Sequence, residues 1–360
     1  MPNTSPVASP GAPFLQTTPS GTTLSDATPA TSPPAGRITP ATMSACVRRI
    51  EPVADGVISI ALEPADADVI FPPFTAGAHI DLHLPNGITR SYSLHNAQSD
   101  TGCYKVGVLR DRASRGGSSW LHSHLQVGDV LPISRPRNNF ALVERAARSV
   151  FVSGGIGITP LLSMIHRLRQ LGGEAHLLYC ARSRKEAPFL QDLTAMTGDG
   201  LTMQCHFSAE TGAVANMADF LSRYTPDDHF YCCGPSSMLD GFEVACDALG
   251  FPNVHVERFK AATHSTAEPE PSGQCVVELA QSGRTVTVPK DRPLLRCLIE
   301  AEVEVEYSCE EGVCGACETR ILSGEADHRD SVLSKSQKAS HSAMMPCVSR
   351  CKSDRLVLDL

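Results

Sequence analysis

The sequence predicts a multidomain protein built from an antiparallel β-barrel, an α/β domain with a parallel sheet and a small α+β domain, in that order. Its 360 residues are enough for two or three separate cores. Two stretches rich in Pro, Ser and Thr interrupt the chain, and the pattern of strands and helices changes between them. These observations divide the chain before any chemistry is considered.

The composition indicates an ordinary globular protein. Hydrophobic residues make up 42% of the chain and charged residues 19%. The net charge of -8 argues against a general nucleic-acid binder, and no apolar run approaches the roughly 18 residues of a membrane span. Fourteen cysteines in a long chain without a secretory signal favour a reducing compartment over a disulfide framework. We therefore expect a cytoplasmic monomer that binds neither nucleic acid nor membrane.

Two low-complexity stretches mark the domain boundaries. Residues 1–42 hold nine prolines, many Ser and Thr and almost no charge, so they are predicted to be a disordered tail. Residues 261–273, within KAATHSTAEPEPSGQ, have the composition of a linker. The predicted domains are therefore the β-barrel over 43–141, the α/β domain over 142–260 and the C-terminal domain over 274–360.

The first domain is predicted from short strand-like runs. GVISIALEP, HIDLHLP, YKVGVLR and DVLPIS are separated by Pro and Gly. Strands of this length and spacing, with few helical periods between them, are typical of an antiparallel barrel.

The second domain alternates strands and helices. SVFVSG, AHLLYC, LTMQCHF and HFYCCG are strand candidates, and FLQDLTAM and SSMLDGFEVACDALG are helix candidates. ITPLLSMIHRLRQLGG predicts a helix with Thr159 as its N-cap, Pro160 at its first position and Gly172 after its end. This alternation predicts a parallel sheet with helices on both faces, an architecture typical of nucleotide-binding domains.

The third domain begins with a hairpin and a helix. QCVVELAQSGRTVTVP reads as two strands joined at Ser282 and Gly283, and PLLRCLIEA reads as a short helix that leads into a cysteine-rich loop.

Four cysteines then follow the spacing Cys-x4-Cys-x2-Cys with one far downstream: Cys309, Cys314, Cys317 and Cys347. Zinc sites usually repeat Cys-x2-Cys pairs, which this spacing does not. The spacing is that of a plant-type [2Fe–2S] cluster. Gly312 and Gly315 would let the backbone wrap round the cluster and offer N–H groups to its sulfurs. Cys351 is an alternative fourth ligand.

A glycine turn in FVSGGIGITP separates a strand from a helix, which suits a pyrophosphate at a helix N-terminus. It lacks the third glycine of G-x-G-x-x-G, and a tight turn alone would explain Gly154 or Gly155 but not three glycines. Cys233, in YCCGP, ends a later strand. It is either a core residue or, near a dinucleotide turn, a residue that lines the nicotinamide site.

Two further segments are ambiguous when taken alone. RSYSL (90–94) fits an ordinary exposed strand face, and SRGGSS (114–119) fits a loop. A basic residue with small, amide-rich neighbours also suits a phosphate.

Taken together, RSYSL, SRGGSS, PRNNF, GGIGITP, CGP, HVERF and the cysteine loop occur in the order of the phthalate dioxygenase reductase family, to which vanillate demethylase reductases belong. The sequence resembles this family from about residue 43 to its end. The resemblance implies a β-barrel flavin domain, an α/β NAD(P) domain and a ferredoxin domain of the β-grasp fold. It also implies FMN rather than FAD, because SRGGSS looks like the family's FMN phosphate loop.

The family's functional residues are carried over where the motifs match. Tyr92 would stack on the flavin, Ser93 would lie near its reactive nitrogen and Arg90 would contact the phosphate, with the phosphate loop formed by Arg115, Gly116, Gly117 and Ser118. Gly154, Gly155, Gly157 and Thr159 would hold the dinucleotide, Cys233 would approach the nicotinamide and Phe259 would lie beside the flavin. Ser93 and Cys233 would be the catalytic residues, and the cluster ligands would be Cys309, Cys314, Cys317 and Cys347.

The choice between NADH and NADPH is open. After the second strand, NADH enzymes often carry an acidic residue for the ribose 2′-hydroxyl, whereas ARSRKE offers Arg182, Arg184 and Lys185. These cations could accept a 2′-phosphate or lie on a solvated loop. The habit of the family favours NADH.

Electron counting connects the three sites. A nicotinamide gives two electrons together as hydride, a [2Fe–2S] cluster accepts one at a time and a flavin can do both, so the flavin lies between them. The predicted function is an NAD(P)H-dependent reductase that passes electrons through FMN and the cluster to a Rieske-type ring-hydroxylating or demethylating oxygenase. The alternatives are a reductase for a cytochrome P450 or another one-electron acceptor, and a non-enzymatic iron–sulfur redox sensor.

Overall fold

A computed structural model describes residues 37–38, 42–111, 115–260 and 273–360, all of which belong to one compact unit. Residues 261–272 of the predicted linker and most of the predicted tail lie outside this range. Within the tail, the short strand β1 (Arg37–Ile38) pairs in parallel with Val305–Glu306 of the C-terminal domain. These two residues therefore have defined strand pairing where the sequence predicts disorder.

The next six strands form one antiparallel sheet with an edge-to-edge bridge. They are β2 (Met43–Ala54), β3 (Val57–Pro64), β4 (His79–His83), β5 (Thr89–Ser93), β6 (Tyr104–Leu109) and β7 (Val130–Ile133), with helix α1 (Gly117–His124) before the last. Their order is β5-β4-β7-β2-β3-β6, and a bridge between Leu94 and Val106 closes the sheet towards a barrel. Ile60 and Leu62 of β3 are fully buried in its core. The predicted barrel is confirmed. Helix α1 was not predicted, because its Gly, Ser and His residues carry no helical apolar period.

The middle domain is a five-stranded parallel sheet in the order β10-β9-β8-β11-β12. Val150 and Val152 of its central strand face one core, while Phe151 between them faces another, so both faces of the sheet are covered. The elements are β8 (Arg148–Gly154), α2 (Ile158–Leu171), β9 (Glu174–Ala181), α3 (Leu190–Met196), β10 (Leu201–Phe207), α4 (Ser208–Thr211), α5 (Met217–Leu221), β11 (His229–Cys233), α6 (Ser236–Leu249) and β12 (Val254–Glu257).

The start of α2 differs from the prediction. The helix begins at Ile158 after Gly157, so Thr159 is its second residue and not its N-cap. The Thr159 hydroxyl instead donates to the carbonyl oxygen of Ile156, 3.0 Å away, and stabilises the glycine turn. The predicted helix end is correct, because Gly172 adopts a left-handed φ of 69°.

The C-terminal domain wraps a five-stranded mixed sheet, in the order β14-β13-β20-β16-β18, round helix α7. The predicted hairpin turns at Gly283, whose φ is 66°, and the predicted helix is present. The elements are β13 (Gln274–Leu279), β14 (Arg284–Pro289), α7 (Leu294–Glu300), β15 (Val305–Glu306), β16 (Thr319–Ser323), β17 (Ala326–Asp327), α8 (Lys335–Ser340), β18 (Ala343–Met344), β19 (Arg350–Cys351) and β20 (Arg355–Leu358).

None of the helices in the described part of the chain is long and apolar enough to cross a membrane.

Candidate functional site

The four cysteines of the ferredoxin-like spacing lie together in two pairs. The thiol of Cys309 interacts with that of Cys314, and the thiol of Cys347 interacts with that of Cys317. Across the described residues, no three His, Cys, Asp or Glu surround a single metal position. Two pairs of thiols fit a two-iron cluster, in which each iron takes two thiolates, better than one tetrahedral zinc.

Backbone N–H groups point at these sulfurs. The amide of Glu311 donates to the Cys309 sulfur at 3.3 Å. The pKa of the Cys309 thiol is lowered to about 6 by its contact with the Cys314 thiol and by backbone N–H groups of the loop. Gly312 and Gly315 have φ values of 69° and 71°, which let the loop curl in this way. The donor set therefore fits a [2Fe–2S] cluster.

Cys351, the alternative fourth ligand, is directed elsewhere. Its sulfur contacts the thiol of Cys275 on β13 and both side chains are buried. The pairing with Cys317 is made by Cys347 instead.

Strand β5 carries Arg90 and Ser93, but not Tyr92, to the rim of a narrow cleft. Tyr92 packs against the barrel core, while Arg90 and Ser93 line the cleft together with Phe259 from the nucleotide domain. The opposite wall comes from the cluster loop, including Cys309 and Glu311. Residues of all three domains therefore meet at this cleft.

The phosphate-loop residues gather positive charge next to the same cleft. Gly116 has a φ of 103° and precedes α1, and a Cβ on Gly117 would lie 2.8 Å from Cγ of Arg90. Glycine is therefore required for Arg90 to lie against the start of the helix. Ser118 accepts a hydrogen bond from the Asp111 amide at 3.2 Å. Ser114, the first residue of the predicted segment, lies outside the described residues.

The carboxylate of Glu311, in the cluster loop, forms ion pairs with Arg90 and Arg115. Glu311 Oε1 lies 2.5 Å from the Arg115 guanidinium and 3.5 Å from that of Arg90. Its oxygen occupies the position of an anion between two arginines at a helix N-terminus, where a phosphate oxygen would also bind. The arrangement fits the phosphate of FMN, and Glu311 is a residue that the motif comparison missed.

Glu257 is a second residue that sequence reasoning missed. It ends β12, lines the cleft and accepts a hydrogen bond from Ser93 Oγ at 3.4 Å. Burial raises the pKa of the Glu257 carboxyl to about 8, which is typical of groups that exchange protons. The signal was present in HVERF, from which the comparison used only Phe259.

A larger cavity of about 900 Å³ lies on the nucleotide side. The glycine turn lines it: a Cβ on Gly157 would lie 2.2 Å from the Cys233 carbonyl oxygen, and one on Gly154 would lie 2.5 Å from Pro235. Gly155 is also at the wall, with a φ of 53°. Backbone that must approach this closely, in a cavity of dinucleotide size, fits an extended nucleotide ligand.

The two ends of this cavity differ in chemistry. Phe259, which is 38% exposed, lines both the cavity and the narrow cleft and so marks where they meet. Arg182 lines the cavity with a 72% exposed side chain, 3.7 Å from Glu186. Cys233 is fully buried behind the glycine turn, and burial raises the pKa of its thiol. The thiol of Cys233 is therefore packed in the core, while its backbone supports the wall.

Comparison with known proteins identifies two of these domains. The 2Fe-2S iron-sulfur cluster binding domain matches residues 277–352 and the oxidoreductase NAD-binding domain matches residues 151–243. The chain is 44% identical over 322 residues to phenoxybenzoate dioxygenase subunit beta of Ectopseudomonas oleovorans, covering 89% of this chain and 99% of that protein.

The solved structures similar to this chain include two that match 89% of it. One is phthalate dioxygenase reductase, described as modular for electron transfer from pyridine nucleotides to [2Fe–2S], with a TM-score of 0.63, 35% identity and coverage of 89% of this chain and 98% of that one. The other is an intact type IV self-sufficient cytochrome P450 monooxygenase, with a TM-score of 0.81, 35% identity and 89% coverage of this chain, which spans 41% of that protein. This chain belongs to the phthalate dioxygenase reductase family and is an NAD(P)H-dependent flavin iron–sulfur oxidoreductase with FMN and a [2Fe–2S] cluster as its cofactors.

Proposed function

We propose that this reductase supplies electrons from NADH to a Rieske-type oxygenase that hydroxylates or demethylates aromatic compounds. One observation carries the proposal: a single cleft is lined by Ser93 of the barrel, Phe259 of the nucleotide domain and Cys309 of the cluster loop. The sites for the nicotinamide donor, the flavin and the [2Fe–2S] cluster can therefore be adjacent within one chain. When bound, the flavin supplies the exchange between two-electron and one-electron chemistry that a nicotinamide and a cluster cannot perform directly.

The barrel residues hold the FMN in this proposal. Arg90 and Arg115 bind its phosphate by charge-assisted hydrogen bonds, at the start of α1 where Gly116, Gly117 and Ser118 keep the backbone close. Tyr92 would stack against the flavin ring, and Ser93 would position the reactive edge of that ring.

The nucleotide domain orients the reduced nicotinamide. Gly154, Gly155 and Gly157 admit the pyrophosphate, and Thr159 holds their turn through its bond to Ile156. The nicotinamide ring then lies between the Cys233 end of β11 and Phe259. Arg182, at the other end, accepts the adenosine part, and the nearby carboxylate of Glu186 favours NADH over a nucleotide with an additional phosphate.

Glu257 and Ser93 hold a proton beside the flavin site. With a pKa near 8, the Glu257 carboxyl keeps its proton at neutral pH, while its Oε2 accepts a hydrogen bond from the Ser93 hydroxyl, 3.4 Å away. In this protonated form, Glu257 adds no negative charge beside Ser93. Glu257 and Ser93 are thus assigned to proton handling.

The cluster ligands are Cys309, Cys314, Cys317 and Cys347. Cys309 is the least buried of them and faces the cleft, so it marks the side at which the cluster approaches the flavin.

We further propose that the protein works as a monomer in the cytoplasm. None of its fourteen cysteines forms a disulfide, which supports a reducing compartment.

A cytochrome P450 is the second candidate acceptor. The similar self-sufficient P450 monooxygenase carries a region like this chain within a longer protein. The dioxygenase subunit, in contrast, matches this chain over 99% of its own length, which favours a separate oxygenase component.

The test mixes the NADH-reduced protein anaerobically with a purified Rieske oxygenase and, separately, with a P450. Loss of the oxidised Rieske absorption within seconds is expected, with a much slower response of the P450. The Cys314→Ser variant, which lacks the cluster, is the control and should reduce neither. Rapid reduction of the P450 with an inert Rieske protein would overturn the proposed acceptor.

A further inference from the structure

Three side chains of the flavin barrel converge on one backbone oxygen of the cluster loop. The carbonyl oxygen of Cys314 lies 3.1 Å from His79 Nε2, 3.3 Å from Arg137 Nε and 3.2 Å from Asn139 Nδ2. A carbonyl oxygen has two lone pairs, so three donors within this distance saturate its capacity to accept hydrogen bonds. Arg137 and Asn139 belong to PRNNF, a segment for which neither the motif comparison nor the proposed route gives a role.

The approach is close enough to constrain the loop sequence. A Cβ on Gly315, the residue after Cys314, would lie 2.3 Å from Asn139 Nδ2. Glycine at 315 therefore does more than allow the loop to curl, because any larger residue would push Asn139 off the carbonyl.

A buried carboxylate fixes the guanidinium that makes this contact. Asp81 of β4 is fully buried, and its Oδ2 accepts from Arg137 Nη2 at 2.6 Å and from Ser308 Oγ at 2.5 Å. Its Oδ1 accepts from Ser91 Oγ at 2.5 Å. Ser308 directly precedes Cys309. Asp81 therefore holds the loop next to Cys309, and Arg137 holds it at Cys314.

The contact also places a positive charge beside the proposed cluster. The Arg137 side chain is only 23% exposed, and its Nε lies 3.3 Å from the carbonyl oxygen of Cys314, one of the proposed cluster ligands. An oxidised cluster that gains one electron gains one negative charge. A fixed cation nearby stabilises that charge, since cluster potentials follow local charge and hydrogen bonding.

We propose that Arg137 is a positioning residue for electron transfer: it docks the Cys309–Cys314 loop against the flavin cleft with Asn139, and its charge makes the cluster a better acceptor. The step moves one electron from the reduced flavin to one ferric ion, which becomes ferrous, and no bond is made or broken. The inference rests on the proposed function through the assignment of the cluster to these cysteines.

The variants separate charge from docking. Arg137→Met removes both, Arg137→Lys keeps the charge but loses the planar guanidinium, and Asn139→Ala removes a docking contact without changing charge. Arg135→Met is the matched control, because Arg135 lies two residues away in the same segment with an exposed side chain. Each variant is purified as the full chain with FMN and cluster, and its iron content is measured.

Two readouts follow: the cluster midpoint potential from an anaerobic redox titration, and the flavin-to-cluster rate after mixing with NADH. Arg137→Met should lower the equilibrium constant for cluster reduction about tenfold, which is 59 mV for one electron, and should also slow the transfer. Arg137→Lys and Asn139→Ala should slow the transfer with little change in potential. Arg135→Met should match wild type in both.

The inference is overturned if Arg137→Met keeps the wild-type potential and rate, or if Arg135→Met shifts the potential equally. If Arg137→Met loses its iron, unchanged transfer rates in both Arg137→Lys and Asn139→Ala overturn it. Failure of the proposed function would look different: wild-type protein without a cluster spectrum, or Cys314→Ser protein that retains one.

Discussion

The nucleotide cavity and the flavin–cluster cleft of this protein differ in size and in the chemistry of their walls. The nucleotide cavity is about 900 Å³, open and walled by glycine backbone, whereas the flavin–cluster cleft is narrow and crossed by ion pairs from Glu311 to Arg90 and Arg115. A preformed open cavity suits a substrate that must enter and leave at every turnover. A cleft closed by charged contacts suits groups that stay. The difference predicts that changes in the first alter nucleotide use and that changes in the second alter cofactor retention.

The largest effect is expected at the cluster. Cys314→Ser should remove the cluster and abolish reduction of a protein acceptor, because one of two paired thiols is lost. NADH-dependent reduction of ferricyanide should survive, because ferricyanide can take electrons directly from the flavin. Cys351→Ser is the control and should keep the cluster, since that thiol contacts Cys275. The iron content and visible spectrum of both variants decide the matter, and a cluster lost only from Cys351→Ser would reverse the ligand assignment.

A methyl group in the glycine turn should damage nucleotide use alone. The Cβ of Gly157→Ala would lie 2.2 Å from the Cys233 carbonyl oxygen, so the turn must shift, and a misplacement of that kind costs on the order of a hundredfold in kcat/KM for NADH. Gly241→Ala is the control, because Gly241 lines the same cavity with nothing within 4 Å of a Cβ. Reduced flavin content in Gly157→Ala would contradict the prediction that changes in the nucleotide cavity leave cofactor retention unchanged.

The charged cleft should respond through flavin affinity. Arg115→Ala should weaken FMN binding about tenfold, the lower end for a charged hydrogen bond, because Arg115 is 67% exposed. Glu311→Gln should have the opposite sign, a few-fold tighter binding, since it removes the carboxylate that competes with the phosphate. Quenching of FMN fluorescence on titration with apoprotein measures both. If both variants weaken binding equally, Glu311 supports the site instead of competing for it.

The smallest expected effect is a pH dependence from Glu257. Burial raises its folded-state pKa to about 8 from an ordinary value of 4.5, so the folded protein keeps a proton that the unfolded chain has lost between these values. The stabilisation present below pH 4.5 is therefore lost as the pH rises through 8. The Tm of wild type should fall more steeply than that of Glu257→Gln between pH 5 and 9. Parallel profiles would show that Glu257 is ionised throughout.

The contrast between the clefts also explains what sequence could predict. The glycine turn and the cysteine spacing are local patterns, in which residues near in sequence form the site, and both appeared where expected. The C-terminal hairpin was likewise predicted from two adjacent strand-like runs, and it turns at Gly283. Arg90, Arg115 and Gly117 were singled out only through a family resemblance, yet the structure brings them together.

The contacts between domains were not predictable in this way. Asp81 meets Ser308, 227 positions later, and Arg137 meets Cys314 after 177. An aspartate in a strand that alternates His, Ile, Asp, Leu and His looks like a solvent-facing residue, but it is fully buried because another domain covers it. Thr159 was misjudged for a local reason: this residue with a strong capping preference lies two residues beyond the N-cap, because the chain already turns at Gly155–Gly157 and the helix begins at Ile158.

The central claim is that electrons pass from nicotinamide to flavin and only then to the cluster. Anaerobic stopped-flow mixing of the oxidised protein with NADH, followed at wavelengths where flavin and cluster differ, tests it most directly. The account predicts that the flavin bleaches first and the cluster follows, because Phe259 lines both the glycine-walled cavity and the cleft, whereas Cys309 lines only the cleft. Reduction of the cluster ahead of the flavin would contradict it.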